Sequence, residues 1–298
     1  LQGGHTMFRN AAELVAQAKE QNVKIAEIMI QCEMETRSIS REEVIAGMEK
    51  NLVVMEQAVE RGIRGVKSPT GLTGGDAVKV QAYMKSGKGL SGDTILDAVS
   101  KAVATNEVNA AMGIICATPT AGSAGTVPGV LFALREKLQP TREEMIEFLF
   151  TAGAFGMVVA NNACISGAAG GCQAEVGSAS GMAAAAAVEM AGGTQDQAAT
   201  AMAISLKNML GLVCDPVAGL VEVPCVKRNA AGAANAMISA DLALAGVTST
   251  IPCDEVIEAM FRIGQTMPVA LRETAEGGLA ATPTGRRLQE EIFGKNNN

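Results

Sequence analysis

The sequence predicts a mainly α, compact, multi-helix domain whose helices are separated by Gly- and Pro-rich loops. Three observations carry this expectation. Of 298 residues, 50 are alanine, the strongest helix former, and apolar residues recur at helical spacing along most of the chain. Runs of β-branched and aromatic residues of strand length are few, and the rings are limited to seven Phe and one Tyr, with no Trp. The 33 glycines gather largely in the breaks, so small side chains must fill the interior and backbones must approach closely. The length suits one large domain with a sizeable core.

Residues 11–31 read as a first amphipathic helix, with Leu14, Val15, Ala18, Ile25, Ile28 and Met29 on its apolar face. Ser40 and Glu43 form a capping box that opens a second helix, to about residue 61. The methionines of this region read as adaptable core filler. A Gly-rich break follows from Arg61 to Asp76, then helices over 76–85 and 93–112, a second break at 117–128, and a short helix near 129–137. Thr141 and Glu144 form another capping box, starting a largely apolar helix through about Ala160 that reads as central. Further helices are expected near 173–191, 195–212, 226–245, 253–265 and 285–293, and the five alanines at 183–187 mark a wholly internal one. Residues 1–6 read as a leader and 295–298 as a tail. The folded domain is expected over 7–294, with 7–60 a candidate N-terminal helical lobe.

Charge and hydropathy exclude some functions. The chain carries 24 basic and 31 acidic residues, for a net charge of −7, and no basic stripe that would track a phosphate backbone, so no nucleic-acid partner is expected. The apolar stretches near Phe148–Ala160 and Met182–Val188 are too short to cross a bilayer, and no secretory pattern opens the sequence. The expected location is the cytoplasm.

Seven cysteines in such a chain point away from disulfide staples and toward metal or redox chemistry, although a lone Cys is more often a small buried hydrophobe. Position separates them. Cys32, Cys116 and Cys253 lie in or beside apolar periodic segments, whereas Cys164, Cys172, Cys214 and Cys225 lie among Gly, Pro, Asn and Asp. In Cys214-Asp-Pro-Val-Ala-Gly-Leu-Val-Glu-Val-Pro-Cys225 the prolines keep backbone near each thiol out of the helix. Asn161-Asn-Ala-Cys-Ile-Ser-Gly-Ala-Ala-Gly-Gly-Cys172 places Cys172 just before a helix N-terminus, which favours a thiolate. These spacings match neither short zinc knuckles nor a ferredoxin run. An iron–sulfur cluster, zinc and plain core cysteines all stay open on spacing alone.

The Cys214–Cys225 segment resembles a known family, as do Gly-Gly-Cys172-Gln-Ala-Glu-Val-Gly and the loops Lys67-Ser-Pro-Thr-Gly-Leu-Thr-Gly-Gly-Asp76 and Ala117-Thr-Pro-Thr-Ala-Gly-Ser-Ala-Gly125. That family is the catalytic α chain of the iron–sulfur-dependent L-serine dehydratases, and the likeness runs from Met7 to Gly294. The resemblance implies a helical domain holding a [4Fe-4S] cluster through three cysteines, which fall here at Cys172, Cys214 and Cys225. It also implies conversion of L-serine to pyruvate and ammonia, and a separate β chain in a heterodimer or higher assembly. Three thiolates leave one iron open as a Lewis acid toward the serine hydroxyl. Cys164 belongs with the other loop cysteines by composition but falls outside the ligand set by resemblance.

The serine carboxylate and amino group need anchors, and the two Gly-rich loops offer hydroxyls and backbone N–H groups of the kind that hold anions. Ser68, Thr70, Thr73 and Gly74 from the first, and Thr118, Thr120 and Ser123 from the second, are the candidate substrate-binding residues, with Asn161 and Asn162. Tight turns and helix capping explain the same residues. Asp215 is expected to orient a ligand or to cap a turn. The single histidine, His5, lies in the leader, so the proton acceptor is either a lysine, with Lys67, Lys79 and Lys227 as candidates, or a carboxylate, or it comes from the β chain. Arg228 also flanks the breaks. Other readings are a cysteine desulfidase on a related cluster, a pyridoxal-phosphate lyase built on Lys207, and an electron-transfer or iron-sensing protein in which Cys164 completes four-thiolate ligation.

Overall fold

A computed structural model describes residues 7–294; the leader with His5 and the 295–298 tail lie outside the described residues. The chain folds into α1 (Ala11–Gln21), α2 (Ile25–Arg37), α3 (Arg41–Arg64), α4 (Asp76–Lys85), α5 (Asp93–Ala110), α6 (Thr126–Leu138) and α7 (Arg142–Asn162). It continues through the one-turn α8 (Gly167–Gly170), a π-helical turn (Gln173–Gly177), α9 (Ser178–Met190), α10 (Gln195–Lys207), α11 (Cys225–Leu244), α12 (Cys253–Thr266) and α13 (Pro283–Phe293). Among the described residues β-structure is limited to two isolated bridges, Lys67 with Gly74 and Cys214 with Arg272. The mainly α expectation holds.

The centre is α9, buried without interruption from Ser178 to Val188 and packed against α6, α7, α10 and α11. Its alanines expose no polar group and permit close helix crossings, as the five consecutive alanines predict. Elsewhere glycine does this work: a Cβ on Gly62 of α3 would stand 2.2 Å from the Ala104 carbonyl oxygen of α5. Residues 7–60 join the same hydrophobic core, which runs from Phe8, Leu14 and Ile28 through Phe148 and Phe155 to Met202 and Ile257.

Both expected capping boxes form, at Ser40 with Glu43 and at Thr141 with Glu144. The expected single helix over 11–31 is instead two helices. Asn22 adopts a left-handed conformation (φ 53) and ends α1, and the Glu189 carboxylate then accepts the first free N–H groups of α2, from Ile25 at 2.6 Å and Ala26 at 3.2 Å. The helix expected from 173 begins with a π turn, which widens the backbone directly after Cys172. The helix expected through 212 stops at Lys207, and the Leu212 carbonyl turns back to accept from the Gln173 N–H at 2.9 Å.

Among the described residues no helix is long and apolar enough to cross a membrane.

Candidate functional site

The breaks carrying Cys172 and Cys214 converge, and Arg228 on the helix that begins at Cys225 contacts both. Gln173 fixes the segment carrying Cys172: its side-chain amide donates to the Gly170 and Met260 carbonyls, and its Oε1 accepts from the Gly211 N–H. Cys214 is held by its backbone, its N–H donating to the Leu271 carbonyl at 2.9 Å and its carbonyl accepting from Glu273 at 2.8 Å. Cys225 is the first residue of α11, directly after Pro224.

All three cysteines are buried. The sulfurs of Cys172 and Cys214 and a carboxylate oxygen of Glu175 lie within 4.8 Å of one another, a grouping able to hold a metal. Cys225 lies outside that trio but feels it. Burial, and then the charge on the Cys172 sulfur, push its thiol up to about 12. The Cys214 thiol donates to Cys172, which lowers the Cys172 pKa and raises that of Cys214.

The donor set fits an iron–sulfur cluster. Cys172 and Cys214 offer buried sulfurs beside Glu175, with buried Cys225 close enough to feel the Cys172 charge, and Gly167 packs against the group so closely that a Cβ there would stand 2.6 Å from Glu175 Oε2 and 2.9 Å from Cys214 Sγ. The Arg228 guanidinium supplies positive charge, 3.6 Å from Cys172 Sγ. Cys164 is half-buried and lies outside the trio; it packs on α8, where a Cβ at Gly170 would come within 2.4 Å of its sulfur.

Glu175 is the buried acid of the site. The π turn carries it, its Oε1 accepts from the Thr120 hydroxyl at 2.9 Å, and burial raises its pKa above the usual carboxylate range. A second buried acid, Glu222, gathers the first Gly-rich loop, accepting from the hydroxyls of Thr70 and Thr73, each at 2.8 Å. Within that loop the Ser68 Oγ accepts from the Thr73 N–H, and Gly74 approaches so closely that a Cβ would stand 2.3 Å from the Val66 carbonyl oxygen.

The second loop is pinned from inside. The fully buried Ser123 hydroxyl donates to the Thr118 carbonyl at 3.0 Å and accepts from the Thr120 N–H. Asn229, also fully buried, accepts at Oδ1 from the N–H groups of Gly125 and Thr126 and donates from Nδ2 to the Gly122 and Cys225 carbonyls. One amide thus joins the N-termini of α6 and α11. Both hydroxyl-rich loops therefore reach the cysteine segments through Glu222, Glu175 and Asn229, and their hydroxyls already have protein partners.

The family described as serine dehydratase alpha chain matches residues 20–280. The chain belongs to that family. It is 74% identical over 288 residues to a probable L-serine dehydratase, alpha chain, of Bacillus subtilis (strain 168), covering 97% of this chain and 96% of the relative. It is 43% identical to the L-serine dehydratase, alpha chain, of Peptoniphilus asaccharolyticus, over 96% of this chain and 99% of the relative. Against L-serine dehydratase TdcG of Escherichia coli (strain K12) the identity is 36%, over 92% of this chain but 61% of the relative.

In this serine dehydratase alpha chain the remaining sequence candidates are exposed residues. Asn161 is exposed at the end of α7, and the Asn162 amide donates to the Arg9 and Val158 carbonyls. Lys67 is exposed. Lys79 and Lys227 are exposed and pair with Asp76 at 2.9 and 3.1 Å; the bond to Asp76 raises the Lys79 pKa, opposite to what a lysine base needs. Lys207 ends α10 with its side chain exposed. Glu175, Glu222 and Asn229 were not singled out from sequence. Only Glu175 carried a local signal, lying one helical turn after Cys172.

Proposed function

We propose that this chain is the catalytic α chain of an L-serine dehydratase, an L-serine ammonia-lyase that forms pyruvate and ammonia, with Cys172, Cys214 and Cys225 holding a [4Fe-4S] cluster. The observation that carries this reading is the convergence of the buried Cys172–Cys214 pair with Glu175, and Cys225 alongside, in a chain of this family. When bound, the cluster supplies an iron that polarises the β-hydroxyl of serine so that it can leave as water.

The protein's own groups do the rest. Glu175 is the buried carboxylate at the cysteines, and its Oε2, which Thr120 does not engage, is the atom best placed to receive the α proton. The Thr120–Ser123 turn aims Glu175, and Glu222 fixes the Ser68–Thr73 turn to the segment between Cys214 and Cys225. Loss of the α proton and the β-hydroxyl gives the enamine, which tautomerises to an imine; water then releases ammonia and leaves pyruvate. Burial of the cysteines and of Glu175 keeps bulk water from the reacting centre and strengthens each polar contact there.

A β chain completes the enzyme in this reading. Two relatives carry "alpha chain" in their names, and the Escherichia coli relative holds the matching region as only 61% of one longer chain. The free cysteines suit a reducing cytoplasm. The test is anaerobic reconstitution with iron and sulfide followed by a pyruvate assay, for this chain alone and with its β partner. Cluster uptake with strong turnover only in the mixture is expected. Full turnover by the isolated chain would overturn the partner requirement, and turnover without iron would overturn the cluster.

A further inference from the structure

We infer that Arg228 is a positioning residue that sets the spacing of the three cysteine-bearing segments and the charge beside whatever they hold; this rests on the cluster reading above. Arg228 lies in α11 one turn after Cys225, so its side chain leaves the same side of that helix. Its Nη1 donates to the Val213 carbonyl at 2.7 Å, lies 3.6 Å from Cys172 Sγ, and pairs with Asp215 Oδ1 at 2.8 Å. Val213 and Asp215 are the two neighbours of Cys214. One guanidinium therefore touches the sulfur of Cys172 and both flanks of Cys214 while standing on the helix that Cys225 begins.

The partner of Arg228 is itself fixed. Asp215 Oδ2 accepts from the Leu279 N–H at 2.7 Å, and a Cβ at Gly278, whose φ is +57, would stand 2.3 Å from the same oxygen. The two side chains are 16% and 4% exposed, so the pair is held away from water, where removing one partner leaves an uncompensated charge. Buried positive charge beside a cluster sulfur favours the reduced, more negative cluster, and buried negative charge disfavours it.

Dye-mediated redox titration of the reconstituted protein, followed by electron paramagnetic resonance, separates this role from a merely structural one. Arg228→Met should move the midpoint potential to more negative values and Asp215→Asn to more positive values, with Arg228→Lys between Arg228→Met and the wild type because it keeps the charge. General loosening of the fold would move Arg228→Met and Asp215→Asn in the same direction, and that result, or no movement in either, overturns the inference.

Hydrogen exchange on the cluster-free chain gives a second readout. Amides of residues 212–215 should exchange roughly tenfold faster in Arg228→Met than in the wild type, because a charged hydrogen bond to the Val213 carbonyl is lost. Unchanged exchange overturns the positioning role. If the wild type takes up no cluster at all, the cluster reading fails, and exchange alone decides whether Arg228 spaces the segments.

Discussion

The Thr73 hydroxyl donates to Glu222 Oε2 at 2.8 Å across 149 positions of sequence, joining a Gly-rich loop between α3 and α4 to the segment between Cys214 and Cys225. The Thr70 hydroxyl donates to the other carboxylate oxygen, Glu222 Oε1, also at 2.8 Å. Both Thr73 and Glu222 are buried, so Thr73→Val leaves a carboxylate oxygen without a partner, at a cost of about 1–3 kcal/mol. The expected outcome is a lower melting temperature and a raised KM for serine, with iron content preserved because no thiol is touched. Thr73→Ser keeps the donor and should behave nearly as the wild type. A Thr73→Val variant with unchanged melting and KM would show that the loop does not depend on this bond.

Gly167 lies where the site has no room for a side chain. Its Cβ would press on Glu175 Oε2 and Cys214 Sγ, so Gly167→Ala should lower iron and sulfide per chain after reconstitution. Gly153, inside α7, meets nothing within 4 Å, and Gly153→Ala should leave iron unchanged and gain up to about 1 kcal/mol from helix propensity. Equal iron loading in both variants would mean that the space beside Gly167 is not used.

The thiols themselves give the most direct comparison. Serine in place of Cys172, Cys214 or Cys225 should each remove most bound iron, whereas Cys32→Ser should not, because Cys32 packs in the hydrophobic core far along the chain from the breaks. Iron and sulfide analysis decides this, and full iron in Cys214→Ser would remove Cys214 from the ligand set.

What the sequence disclosed follows from how local each signal is. Helices opened by their own Ser or Thr, at Ser40 and Thr141, were legible because donor and acceptor lie three residues apart. The start of α2, whose first N–H groups are taken by a distant carboxylate, was not legible, and at α4, expected over 76–85 and found there, only the capping partner was hidden. Glu189 caps α2 from 164 positions away, and Glu107 accepts from Asp76 and Ala77 at the start of α4. The same division runs through the site. The cysteines stand out against glycine and proline, and their segments resemble a family. Glu222 lies inside the Cys214–Cys225 segment and Asn229 just after it, but neither carries a local sign of its partner, and only the tertiary fold brings Thr73 and Gly125 to them. The hydroxyls of Thr70, Thr73, Thr120 and Ser123 hold Glu222, Glu175 and the loop backbone, as buried carboxylates and carbonyls require donors.

Glu189 also makes the pH dependence of folding specific. Its carboxylate accepts from the Ile25 and Ala26 N–H groups and the Thr151 hydroxyl, yet burial dominates and raises its pKa above the usual carboxylate range, with Lys24 only partly offsetting this. Between the ordinary value, about 4.3, and the raised folded value, the folded chain binds more protons at this site than the unfolded chain. Its contribution to stability is therefore fully present below the ordinary value and is lost as pH rises through the folded one. Urea unfolding of the cluster-free chain from about pH 4 to about pH 7, for wild type and Glu189→Gln, isolates the effect because every other titrating group is shared. The wild type's stability relative to Glu189→Gln should fall as pH rises from the ordinary carboxylate value through that range. A difference that is flat, or that grows with pH, would mean that the helix N-terminus of α2 stabilises the ionised carboxylate more than burial penalises it.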